Sequence, residues 1–286
     1  MSAHFFKQEL GRNVRRSPLS HLGSLIMAGL LFAFFDLLWI GSRVADSYFE
    51  ELLAGVQMEI FFTDELSETE IDSRVAGLRE LEGVERVEFV GKDAARQRLR
   101  QALGIDYLSG AESNPLPRSA QINFKRGFPT VESVAGLQTR FAAADGVLQV
   151  SYDEPWLRST EGNRNTVANI SRALLGAALI GAMLNAALLA GLIARAKTKQ
   201  FGQLRMLGAG TGFLGSPLIL EGGALAALAA GLSWMAVLLA QNNVQLPRVD
   251  TALPAEGEIA LMIAAAGLVG VVGAYGAVKI ALWRSR

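Results

Sequence analysis

The chain's two histidines, His4 and His21, both fall within its first 21 residues, and it has no cysteine. Residues 22–286 therefore cannot supply the histidines of a Ser-His-Asp triad or an HExxH metal site. No thiolate nucleophile, disulfide or Cys-based zinc site is available anywhere. Carboxylates remain. Residues 46–168 hold 21 Asp/Glu against 13 Lys/Arg, which allows a general acid/base pair in principle. Most of them fall at polar positions of periodic segments and read as solvated surface. No GxxxxGK[ST] phosphate loop exists, since the glycines of Gly208 to Gly215 lack the lysine. Any ATP chemistry then belongs to another chain. We assign this chain no catalytic residue, metal ligand, cofactor or nucleic-acid partner.

Two carboxylates stand apart because of where they sit. Asp36 is the one charge in Leu22 to Ser42, and Glu221 is the one charge in Gly208 to Ala240. Two further blocks, Ala173 to Ala194 and Ile259 to Val278, carry none. Each block reaches the roughly 18–20 residues that cross a hydrocarbon core. Four transmembrane helices follow, at 22–43, 171–194, 212–240 and 259–279. A carboxylate at mid-membrane costs about 2.5–3.5 kcal/mol on insertion scales. Asp36 is therefore expected to face other helices, be protonated or sit hydrated near the interface. Glu221, between Pro217 and Gly222-Gly223, is expected at a kinked or broken helix start in a structural or coupling role. Gly267, Gly270, Gly273 and Gly276 recur every three residues in the last span. They suit close helix packing, either within the bundle or between two copies.

The zero net charge is a cancellation. Residues 1–20 sum to +3, residues 195–211 to +4 and the segment from Lys279 to Arg286 to +3, while residues 46–168 sum to −8 and residues 241–258 to −2. Short basic segments mark the cytoplasmic side. The layout is then a cytoplasmic N-terminus (1–21), an extracytoplasmic domain (44–170), a cytoplasmic loop (195–211), a short extracytoplasmic loop (241–258) and a cytoplasmic tail (280–286). Phe5, Phe6, Leu10 and Val14, with basic residues between, suit an amphipathic helix on the inner leaflet.

Within the domain, Met58, Ile60 and Phe62 alternate with polar neighbours, as in a strand. Ser67 and Glu70 have capping-box spacing, followed by Ile71, Val75 and Leu78 at helical spacing. Val84 to Val90, Ala120 to Phe124 and Leu148 to Tyr152 read as strands, with a Thr130-capped helix before the last. Val75-Ala76-Gly77-Leu78 recurs as Val134-Ala135-Gly136-Leu137, and each copy precedes a Gly-Val pair that opens a strand. Two βαβ halves of this size predict an α+β domain of split βαβ, ferredoxin-like architecture. The insert at about 91–118 reads as a small helical lobe. Its apolar residues Leu99, Leu103, Tyr107 and Leu108 either pack on the sheet or receive a partner.

The order of parts resembles the FtsX family of bacterial cell-division proteins, within the MacB-like group of ABC-type permeases. The resemblance is carried by "TDELSETEID", "EGVERVEFVGKDAA", "NPLP", "DEPWL" and "GQLRMLGAGTGFLGSPLILEGG". It implies a porter-type domain and a homodimer seated on an FtsE-like ATPase dimer that binds ATP-Mg. That assembly would sit in the cytoplasmic (inner) membrane at the division site, with other division proteins. It further implies that the ATPase grips Gln203, Leu204, Arg205, Met206, Leu207 and Gly208. The outside domain would engage a peptidoglycan hydrolase or its coiled-coil activator. The chain departs from the family where Lys199 to Gln203 stand in place of acidic residues. Two alternatives are a MacB- or lipoprotein-release-type export permease and a passive scaffold of division proteins.

Overall fold

The computed structural model describes residues 3–104, 114–243 and 253–284. In chain order its elements are α1 (Ala3–Arg16), α2 (Pro18–Ala54), β1 (Gln57–Phe62), α3 (Glu68–Arg79), β2 (Val84–Val90), α4 (Lys92–Leu103), β3 (Arg118–Phe124), α5 (Val131–Ala142), β4 (Val147–Tyr152), α6 (Glu154–Ala196), α7 (Thr198–Met206), α8 (Thr211–Asn243) and α9 (Glu256–Arg284). They divide into two compact units. One comprises Met1–Val44 with Asn169–Arg286, and the other is Ala45–Ala168.

In the unit Ala45–Ala168, four strands form a sheet in the order β2-β3-β1-β4, every neighbouring pair antiparallel. β1 and β2 are joined through α3 with β3 between them, and β3 and β4 through α5 with β1 between them. The register sets Met58 opposite Ile122 and Ile60 opposite Ala120. Alternation then sends Met58, Ile60, Phe62, Ala120, Ile122 and Phe124 to one face, where all six are buried. Ile71, Val75 and Leu78 of α3, Val134 and Phe141 of α5, and Leu53 and Leu157 complete this core.

Local chemistry starts and stops these elements. The Ser67 hydroxyl accepts from the Glu70 N–H, while the Glu70 carboxylate accepts from the Ser67 N–H at 2.8 Å. Thr130 and Ser133 make the same reciprocal cap on α5. The two Gly-Val pairs share one backbone requirement, with φ of +84° at Gly83 and +73° at Gly146. Such angles favour glycine. A Cβ at Gly83 would stand 2.0 Å from the Phe128 ring.

Among the described residues, four helices are long and apolar enough to cross a membrane: Pro18–Ala54, Glu154–Ala196, Gly212–Gln241 and Glu256–Trp283. At 1.5 Å per residue the first, of 37 residues, is about 55 Å long, well beyond a hydrocarbon core of about 30 Å. The apolar runs thus mark the crossing parts of longer helices, because good helix formers continue the hydrogen-bonded ladder through polar sequence on either side.

α8 and α9 touch backbone to backbone. A Cβ at Gly270 would stand 2.4 Å from the Gly222 carbonyl oxygen. Gly273 faces α6 instead, where a Cβ would meet the Met183 carbonyl oxygen at 2.2 Å, and Gly276 faces open space. The glycine run of the last span therefore serves two helix contacts within this unit and leaves one position free. α8 continues through Pro217 rather than breaking there. Proline leaves the Phe213 carbonyl without its usual donor, and the Ser216 hydroxyl donates to it at 3.2 Å.

Candidate functional site

The implied coupling segment is α7 and the turn after it. Phe201 is the buried residue of α7 and packs with Ile193, Leu214, Leu218, Val278 and Leu282. Arg205, half-buried on the same helix, donates from Nη2 to the Leu282 carbonyl oxygen at 2.9 Å. Leu282 lies in the last turn of α9, where carbonyls lack intrahelical donors and the helix dipole favours a cation. One face of α7 is thus pinned by an aromatic ring and a guanidinium. The opposite result holds at its end, where Met206 is 83% and Leu207 84% exposed. Gln203 and Leu204 are exposed as well, and Gly208 turns the chain with φ of +87°. Two apolar side chains on a rigidly held turn, with almost no contact of their own, have the form of a docking tip.

Beside this tip a cavity of about 600 Å³ is lined by Arg12 and Arg16 of α1, Lys197, and Phe201, Leu204 and Phe213 among others. Among the described residues, no acidic side chain lines it. Cationic and apolar walls together suit an acidic, partly apolar partner. Leu10 is half-buried and Val14 exposed, whereas the polar Asn13 is buried. The side chains of Phe5 and Phe6 lie outside those described.

Asn13 is buried because of Glu221. Its Nδ2 donates to Glu221 Oε2 at 2.6 Å, and His21 Nε2 stands 2.6 Å from Glu221 Oε1. His21 Nδ1 lies 2.8 Å from the Ser17 carbonyl oxygen. A carbonyl oxygen only accepts, so the tautomer with its hydrogen on Nδ1 fits this contact. The lone charge of α8 is therefore paired, by a residue that sequence reasoning had used only to exclude catalysis. The signal was available: His21 opens an apolar run, where an imidazole needs a partner. Asp36, the lone charge of the first span, accepts from the Ser233 hydroxyl of α8 at 2.5 Å, and both are buried. The two membrane carboxylates thus each tie the N-terminal helices to α8.

In the unit Ala45–Ala168 the partner-facing candidates lie on and after α4, which has no buried residue. α4 is held by polar contacts on the sheet face opposite the core. Arg98 donates to Glu88 and, at 2.9 Å, to Gln121 Oε1. Lys92 Nζ meets Asp64 Oδ2 at 2.7 Å and holds that carboxyl below its ordinary titration range. Asn114 Nδ2 donates to the Lys92 carbonyl oxygen at 2.7 Å. Leu99 is half-buried and Leu103 about half-exposed. Tyr107 and Leu108 lie outside the described residues. Among the described residues no group of three His, Cys, Asp or Glu is placed to hold a metal ion.

Comparison with known proteins finds a match within the unit Ala45–Ala168. Residues 55–163 match the family model described as the FtsX extracellular domain. Among solved structures, extracellular domain 1 of FtsX from S. pneumonie aligns at 14% identity over 34% of this chain and 92% of that one, with a TM-score of 0.29.

Proposed function

We propose that the chain, whose residues 55–163 match the FtsX extracellular-domain family model, is an FtsX-type membrane protein of cell division and the non-catalytic membrane subunit of an ABC-type complex. A cytoplasmic FtsE-like ATPase dimer binds and hydrolyses ATP-Mg, and a homodimer of this chain transmits the resulting movement across the inner membrane. The Ala45–Ala168 unit, which we read as a split βαβ, ferredoxin-like domain, then engages a peptidoglycan hydrolase or its activator outside. Both termini lie in the cytoplasm by the distribution of positive charge. The two chain connections to the unit Ala45–Ala168 are α2 and α6.

The observation that carries the ATPase contact is the exposed Met206-Leu207 tip on a helix pinned by Phe201 and Arg205. The test is affinity purification of the tagged full chain in mild detergent with ATP hydrolysis blocked, alongside Met206→Asp and Leu207→Asp. Neither side chain is packed, so both variants keep the fold. The native chain is expected to bring down an ATPase with a wall hydrolase or its activator, and the variants to lose the ATPase. Recovery of an envelope adaptor would favour the export permease. Recovery of division proteins without any ATPase would leave the scaffold.

A further inference from the structure

α6 and α9 touch tightly where Gly273 meets the Met183 backbone and more loosely at Gly191, where a Cβ would stand 3.8 Å from the Ala277 Cβ. They leave a groove of about 630 Å³ that runs to Arg195 and Thr198. Its floor includes Gly191, Gly276 and Ala277, and its lips are Leu184, Leu188, Leu192 and Ile280, all more than half exposed. Its single charged lining residue is Arg195, which is exposed and has no hydrogen bond or ion pair from its guanidinium among the described residues. The Thr198 hydroxyl is turned inward and donates to the Arg195 carbonyl oxygen at 2.8 Å.

We infer that this groove is a phospholipid site: an acyl chain lies against Gly191, Gly276 and Ala277, and an anionic phosphate headgroup meets Arg195. The argument is one of matching chemistry along a line. The groove is closed by helix contact at its inner end and apolar along its length. Its open end carries an unpaired cation, the arrangement an anionic amphiphile presents in reverse. A bilayer offers that molecule at high local concentration, and a cation at the interface attracts anionic headgroups. A second copy of this chain would bring its own apolar helix into the groove and leave Arg195 without a counter-charge. The site's chemistry stands apart from the ATPase reading; only its assignment to the cytoplasmic leaflet rests on the orientation proposed above.

The test is native mass spectrometry of the full chain from mixed micelles containing equal phosphatidylglycerol and phosphatidylcholine. The native chain is expected to retain phosphatidylglycerol about fivefold over phosphatidylcholine, the attraction of one added cation. Arg195→Gln should abolish that preference while lipid is still retained. Gly276→Leu should lower retention of both lipids with no loss of thermal stability, because a Cβ there meets no atom within 4 Å. Equal retention of the two lipids by the native chain overturns the headgroup assignment. Unchanged retention in Gly276→Leu overturns the groove. If Gly276→Leu instead shifts the oligomeric state and leaves lipid retention as it was, the groove seats a second copy and the proposal fails.

Discussion

Single residues govern how the charges of this protein are tolerated. Glu221 has two hydrogen-bond partners in a buried setting. Removing it leaves Asn13 Nδ2 and His21 Nε2 buried without that partner, at about 1–3 kcal/mol each. We expect Glu221→Ala to lower the melting temperature of the purified chain in detergent clearly more than Glu221→Gln, which keeps an acceptor oxygen. Equal melting temperatures for the two would show that the cluster is not held by hydrogen bonding. At the surface, Asp64 obeys the opposite logic. The Lys92 ammonium favours its charged form, so its folded pKa is lower than in the unfolded chain. Its stabilising contribution is present above the unfolded value and lost as pH falls through the folded one. NMR titration should place Asp64 below the ordinary carboxylate midpoint, and Lys92→Ala should bring it back up.

At the scale of elements, the repeated Gly-Val pairs are backbone devices. Gly83 ends the turn after α3 in a left-handed conformation and lies against Phe128. Gly83→Ala combines left-handed strain with a forced shift of a packed ring, about 2–4 kcal/mol in all. Chemical denaturation should show that loss, and a change within ±0.5 kcal/mol would mean the turn relaxes freely. Gly127, also left-handed at φ of +79° but with nothing near its Cβ, supplies the comparison: its Ala variant bears the strain alone. α7 shows a different device, in which one buried ring and one guanidinium hold nine residues and the following turn stays exposed.

For the whole molecule, the family match at 55–163 and the physical unit at Ala45–Ala168 do not coincide. The difference includes Leu53, which is buried in the sheet's core. Burying a leucine is worth about 1.5–3 kcal/mol. A fragment covering 45–168 is therefore expected to be more stable than one covering 55–163 by at least that amount in urea denaturation. Equal stabilities would place the boundary at the matched residues and make the end of α2 dispensable to the domain.

What the sequence determined by itself was periodic or compositional. Runs of apolar residues announce helices long enough to span a bilayer, since lipid leaves backbone polar groups no other partner. Alternation at Met58, Ile60 and Phe62 announces a strand, and Ser67 with Glu70 announces a helix start, because these signals lie within a few residues of one another. The tertiary structure alone decided contacts between residues far apart in the chain. His21 and Asn13 find Glu221 some two hundred positions away, and Ser233 finds Asp36 across a similar distance. The same holds for the glycines of α9, identical in sequence pattern yet facing α8, α6 or open space. A helix repeats every 3.6 residues, so a three-residue spacing rotates steadily around its axis. Which face each glycine presents to which neighbour depends on how the other helices pack, and no local pattern records that.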